Sequence, residues 1–112
     1  MSTAKIMTLD ELFALPYVPG IETFRYGDDP SQVCELYLPT AYASFATKLP
    51  VVVIVHGGCW RSTINRQHVG QWCAALAEAG LAVWSIEYRR VGNGGEWPNL
   101  LSDVARAYDT LA

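Results

Sequence analysis

The chain has 112 residues, a formal net charge of −3, and 51% hydrophobic against 17% charged residues. This composition excludes a disordered chain, and the length leaves room for at most one domain with a modest core. No basic block occurs, so neither nucleic acid nor an anionic membrane is an expected partner.

The N-terminus, Met1 to Leu15, carries a single lysine and no apolar h-region, so it does not read as a signal peptide. The longest apolar run is far too short to cross a bilayer. Cys34, Cys59 and Cys73 are odd in number and widely spaced. With no secretion signal they are expected to be reduced thiols in a cytoplasmic protein, and their spacing fits neither a disulfide frame nor a metal site. No cofactor motif is present, because Gly57-Gly58 lacks the dinucleotide fingerprint and no Gly-Lys-Ser/Thr occurs.

Thr8-Leu9-Asp10-Glu11 fits a capping box that opens a short helix over Leu9 to Leu15, stopped by Pro16. Thr23 to Tyr26 and Val33 to Leu38 read as strands separated by the turn Gly27-Asp28-Asp29-Pro30-Ser31. They are expected to pair antiparallel at one edge of a sheet. A small-residue loop, Pro39 to Leu49, leads into Val51-Val52-Val53-Ile54-Val55. These five consecutive β-branched residues favour a strand. The run shows no alternation, which predicts a strand covered on both faces.

It ends in His56-Gly57-Gly58-Cys59-Trp60. The glycines let the backbone adopt positive φ and bring N–H groups close to a ligand, at the strand end where open α/β sheets place ligands. Val69, Trp72, Cys73 and Leu76 then mark the apolar stripe of a helix from about Asn65 to Ala79, closed by Gly80. Leu81 to Glu87 returns to strand, which makes a βαβ unit with parallel strands. After a loop at Val91 to Gly95, Trp97, Leu101, Val104, Tyr108 and Leu111 form the stripe of a last helix, with Pro98 in its first turn. The expected fold is therefore α/β: a mixed sheet with an antiparallel strand pair, then a βαβ unit and a further helix. The Val51–Val55 strand has one evident neighbour, so its other edge is expected to be bare, a feature soluble proteins avoid.

Val53-Ile54-Val55-His56-Gly57-Gly58-Cys59-Trp60 resembles the oxyanion-hole segment of α/β-hydrolases in the His-Gly-Gly-x-Trp form of kynurenine formamidase-like and carboxylesterase/lipase-like members. Glu87-Tyr88-Arg89 is similar to the Tyr-Arg signature that ends the following strand in that family. Trp97-Pro98 with Leu101 and Asp103 is similar to the helix before its nucleophile strand, and Tyr26-Gly27-Asp28 and Leu36-Tyr37-Leu38-Pro39 to its first strands. The resemblance runs in order through most of the chain. It implies residues 1–112 as a single, incomplete α/β-hydrolase domain, the N-terminal portion, ending before the nucleophile elbow.

It further implies a serine-type hydrolase of the esterase or arylformamidase kind, with a small-molecule ester or amide as substrate and no metal or cofactor. The backbone N–H groups of Gly58 and Cys59, with Gly57 as a possible third, would hold the oxyanion of the tetrahedral intermediate. Each such donor is worth about 3–4 kcal/mol. Where some members have a third glycine, this chain has Cys59, whose Cβ narrows the pocket.

Blander roles stand beside these. Gly57-Gly58 alone is also a tight strand exit. His56 reads as a structural hydrogen-bonder of the loop more than as a base, and Trp60 as a pocket wall or a packed loop anchor. Cys59 is a weaker candidate nucleophile, with His56 as its one nearby partner in sequence. His68 reads as solvated, Arg89 and Asp103 as a structural tie. Ser62 and Ser85 lie in no elbow, and Gly-x-Ser-x-Gly occurs nowhere in the chain. The nucleophile, acid and catalytic His of the family are thus missing, so these residues alone are not expected to be active. The alternative is a non-catalytic remnant or partner-binding module that uses the exposed strand edge. Oligomeric state is left open.

Overall fold

The computed structural model describes residues 6–40 and 48–111. The loop expected over 39–49 falls largely outside them. The short N-terminal helix α1 spans Leu9–Phe13, and Thr8 Oγ1 accepts the Glu11 N–H at 3.1 Å, the cap that the Thr-x-x-Glu pattern implies. Strands β1 (Glu22–Arg25) and β2 (Val33–Tyr37) pair antiparallel. Strands β3 (Val51–Val55) and β4 (Ala82–Ile86) pair parallel, and β4 pairs antiparallel with β2. The sheet order is β1-β2-β4-β3, a mixed sheet of four strands.

Helix α2 (Gly70–Glu78), entered through a 3-10 turn at Arg66–Val69, and helix α3 (Asn99–Thr110) cover opposite faces. The alternation along β4 shows this. Trp84 and Ile86 join Cys34 and Ala107 in one cluster, whereas Val83 joins Tyr37, Cys73 and Ala77 in another. Among the described residues no helix is long and apolar enough to cross a membrane.

The strand covered on both faces is β4, buried at every position, and not β3. Among the described residues β3 pairs with β4 alone; its middle residues are half-buried and Val51 and Val55 are about half exposed. A run of β-branched residues reports burial of side chains, but it does not say which strand lies in the middle.

Both helical stripes also need correcting. In α2 the buried residues are Gly70, Cys73 and Ala77, and Trp72 is exposed. Small residues face the sheet because the helix lies close to the chain beside it: a Cβ at Gly70 would sit 2.9 Å from the Val18 carbonyl. In α3 the inner face is Leu100, Asp103, Val104, Ala107 and Leu111, whereas Trp97, Leu101 and Tyr108 are exposed. The helix is rotated by about one residue from the expected stripe, and buried polar bonds set that rotation. Asp103 accepts from Arg89 N (3.0 Å), Nε (2.8 Å) and Nη2 (2.9 Å), and from Gln32 Nε2 (3.0 Å). Trp84 Nε1 donates to the Ala107 carbonyl at 3.0 Å. An aspartate with four donors cannot be turned outward cheaply. Pro98 stands at the N-cap of α3, one position before the helix starts.

The rotation predicts contrasting substitutions. Ala107→Leu overpacks the core and is expected to cost about 1–3 kcal/mol, whereas Leu101→Gln on the exposed side is expected to stay within about 0.5 kcal/mol of the parent. Urea unfolding of the two variants checks this. The reverse ranking would restore the Trp97–Leu101–Tyr108 stripe as the inner face.

Candidate active site

The parallel register sets Val55 opposite Ile86, so the next residues, His56 and Glu87, emerge side by side at the C-terminal end of the β3–β4 pair. His56 is buried, its Nε2 donates to Glu87 Oε1 at 2.6 Å, and its ring stacks on Tyr88 at 4.6 Å. Its Nδ1 lies 2.8 Å from the Gly57 carbonyl oxygen, and its own carbonyl accepts from the Tyr88 hydroxyl at 2.6 Å. Both ring nitrogens are engaged, so the ring fixes the loop.

The chain then turns through three residues of positive φ: Gly58 (+131°), Cys59 (+54°) and Trp60 (+58°). The two glycines serve different ends. At Gly58 the backbone lies where side chains are rarely accepted, and a Cβ would stand 2.7 Å from the Ile64 side chain. At Gly57 a Cβ would meet nothing within 4 Å. Gly58 is therefore required by the turn itself, and Gly57 keeps open the space in front of it. Among the described residues the N–H groups of Gly57, Gly58 and Cys59 have no hydrogen-bond acceptor, whereas the Gly58 carbonyl accepts the Arg61 N–H at 3.2 Å. The three residues border a hollow of about 490 Å³, across which stand Leu9, Leu12 and Phe13 of α1.

The far side of the loop is tied down. Trp60 O accepts from Val91 N at 2.8 Å, and Ser62 N donates to Val91 O at 3.0 Å. Arg90, buried, donates from Nη1 to Ile64 O at 2.8 Å and from Nε to Tyr88 O at 3.0 Å. Glu87, 1% exposed, reaches both ends of the loop: Oε1 accepts from His56, and Oε2 accepts the Arg66 N–H at 2.8 Å. The Arg66 guanidinium spans from Glu87 (3.5 Å) to Glu35 (3.1 Å). Glu35, also buried, accepts from the Tyr17 and Tyr37 hydroxyls as well. Arg66 Nε is the one buried side-chain nitrogen or oxygen without a partner among the described residues.

Burial alone would raise the Glu87 carboxyl, but the His56 hydrogen bond and charge, the Arg66 N–H and Arg90 outweigh it and hold it below the usual range. Asp103 is likewise depressed: its burial is overcome by the Arg89 bonds and by Gln32. Burial and the Glu35 carboxylate push the Tyr17 hydroxyl up to about 12.

The remaining residues singled out from the sequence fall as follows. Trp60 is 60% exposed and is not among the residues that border this hollow, and its carbonyl accepts from Val91 N. Cys59 is exposed, Cys34 and Cys73 are buried, and all three are free thiols. His68 is half-buried, with its ring edge-on to Phe13 and to His56 at 5.6 Å each. It also borders the hollow, a position that its place off the apolar stripe did not suggest. Ser85 is buried on the α2 side of β4, away from solvent. Glu35, Arg66 and Glu87 were missed as a group. Their one signal in the sequence is an acid inside each of two otherwise apolar strand segments. Among the described residues no cluster of three His, Cys, Asp or Glu side chains could hold a metal ion.

The BD-FAE family model matches residues 34–111, more than half of the chain, and the chain belongs to that family, within the α/β-hydrolase superfamily. No curated protein and no solved structure matches the chain.

Two measurements test the network. Glu87→Gln removes the carboxylate that accepts from His56 and Arg66 and faces Arg90, and is expected to cost about 3–5 kcal/mol in urea unfolding, as breaking a buried pair does. Because Glu87 and Asp103 titrate below their unfolded values, their stabilisation is complete only above about pH 5 and is lost progressively as pH falls below it. Urea midpoints should therefore drop steeply below about pH 4, and less steeply in Asp103→Asn. A midpoint flat down to pH 2 would mean that neither carboxylate is held as described.

Proposed function

We propose that this chain carries the oxyanion-stabilising part of a serine-type hydrolase of the His-Gly-Gly-x-Trp kind, which cleaves a carboxylic ester or amide in the manner of esterases and arylformamidases. The observation that supports the reading is that the N–H groups of Gly58 and Cys59 have no acceptor among the described residues, and that both residues border a hollow at the end of β3. Attack on an acyl carbonyl turns its oxygen into an anion, and donors already fixed in place need no reorganisation to meet it. Gly58 and Cys59 are the main donors and Gly57 a third. His56 supports the loop from beneath, with Glu87 and Arg66. The open space before Gly57 lets the acyl carbon approach. The hydroxyl nucleophile, its acid and its His lie outside these 112 residues, so the chain alone is without the groups that form and break the acyl-enzyme.

A second reading, a non-catalytic module that binds a partner strand, is favoured by the edge of β3 that has no neighbour among the described residues, with its half-exposed Val51 and Val55. Light scattering separates the two: a folded monomer supports the module, whereas self-association through the edge supports a missing neighbour in the sheet.

The hydrolase reading predicts that the reading frame past Ala112 encodes a strand followed by Gly-x-Ser-x-Gly, and that the 112-residue chain does not turn over p-nitrophenyl esters. In the protein that includes the nucleophile, Gly57→Ala is expected to leave the thermal midpoint nearly unchanged, because its Cβ meets no protein atom within 4 Å. The same change is expected to lower kcat/KM on p-nitrophenyl acetate about 10²-fold. Unchanged kcat/KM would remove the loop from the reaction.

A further inference from the structure

We infer that helix α1 is the wall that selects the acyl group, so that the hollow takes a carboxylate or acyl moiety bearing an apolar tail. This rests on the oxyanion reading above and adds to it the substrate class. Leu9, Leu12 and Phe13 recur at i, i+3 and i+4, which places them on one face of α1, and all three border the hollow opposite Gly57, Gly58 and Cys59. None of them is buried by the rest of the chain; Leu9 is 69% and Phe13 46% exposed. A five-residue helix that turns its apolar face to a hollow, with no core residue beneath it, lacks a folding reason for that composition.

The helix is nevertheless held in place. Phe13 packs edge-on to His68, Gln71 Nε2 donates to Pro16 O at 2.7 Å, and the Tyr17 hydroxyl bonds Glu35. Its position is thereby tied to the 3-10 turn and α2, which follow the oxyanion loop.

The two sides of the hollow differ in chemistry. Gly57, Gly58 and Cys59 carry N–H groups that have no acceptor among the described residues, and Arg61 borders the hollow as well, whereas Leu9, Leu12 and Phe13 are apolar. A molecule that satisfies both has a negative or strongly polar oxygen at one end and a hydrocarbon tail at the other. A volume of about 490 Å³ lies in the small-molecule range of roughly 300–1,000 Å³, which suits one tail of several carbons and not a protein segment.

The test is a titration of the ¹⁵N,¹³C-labelled 112-residue chain with sodium hexanoate, sodium acetate and hexylammonium chloride, read by NMR at the Gly58 and Cys59 amides, the Leu12 methyls and the Phe13 ring. Hexanoate is expected to move all four signals and to half-saturate at a concentration at least about tenfold below acetate, since each buried methylene adds to binding. Leu12→Ser is expected to abolish that advantage and to leave the acetate response as it was. Leu9→Ser, at a mostly exposed position, reads the same effect should Leu12→Ser not fold. Hexylammonium should leave the two amides unmoved. If both carboxylates move the amides at the same concentrations, with Leu12 and Phe13 silent, the wall is wrong and the oxyanion reading stands. If neither moves the amides, the oxyanion reading fails and takes this inference with it.

Discussion

The carboxylate of Glu87 is the point through which the site is held. It follows β4 directly, and the parallel register with β3 brings His56 beside it. One oxygen takes the His56 N–H and the other takes the Arg66 N–H, so the two ends of the loop between them are fixed to a single buried group. A buried carboxylate without partners would lose more in desolvation than any single bond returns. Here it accepts three hydrogen bonds, from His56, Arg66 and the Tyr88 N–H, and stands 3.6 Å from the Arg90 Nε. Removing any member leaves the others charged or unpartnered inside the protein. This explains why the arrangement behaves as a unit and why its geometry admits so little choice.

The same logic extends along the α2 side of the sheet. Glu35 on β2 stands opposite Ser85 on β4 in the sheet register, and Arg66 reaches from Glu87 to Glu35 across this polar seam. The α3 side is different: aromatic and aliphatic groups cluster there, and the Asp103–Arg89 pair closes its upper edge. The sheet thus has one face built largely of dispersion and area burial and another where small helix residues make room for ionic groups. Stability near neutral pH draws on both, but placement of the loop draws on the polar face.

How much of this could be read from the chain depends on the range of the interactions. The β-branched run of β3, the His-Gly-Gly exit, the Thr8 cap and the parallel pairing are local or pattern signals, and they appear where the residues suggested. The interior ranking of the strands was not legible, because β3 is more apolar than β4 and yet sits outside it. Nor were the faces of α2 and α3. Counting large side chains put Trp72, Trp97, Leu101 and Tyr108 inside, whereas Gly70, Ala77, Asp103 and Ala107 occupy those places. Close packing selects small residues, and a buried ion pair selects an aspartate, and neither adds to an apolar stripe. The Glu87–His56 and Arg66–Glu35 contacts join residues 31 positions apart. No spacing rule marks them.

The loop itself carries the strain that the network holds. Cys59 and Trp60 both stand at positive φ although neither is glycine. A left-handed conformation costs an L-residue roughly 1–2 kcal/mol, and such strain persists only where the surroundings over-determine it. The surroundings here are Val91 on the Trp60 carbonyl, Arg90 on Ile64, and Glu87 on His56 and Arg66. Relaxing the two residues would let their N–H groups turn toward other acceptors. Held as they are, the amides of Cys59 and Gly58 have no acceptor among the described residues, at a place that borders a hollow. The strain, the buried charges and the hollow are therefore parts of one arrangement, in which the network of buried bonds holds the loop in its strained form.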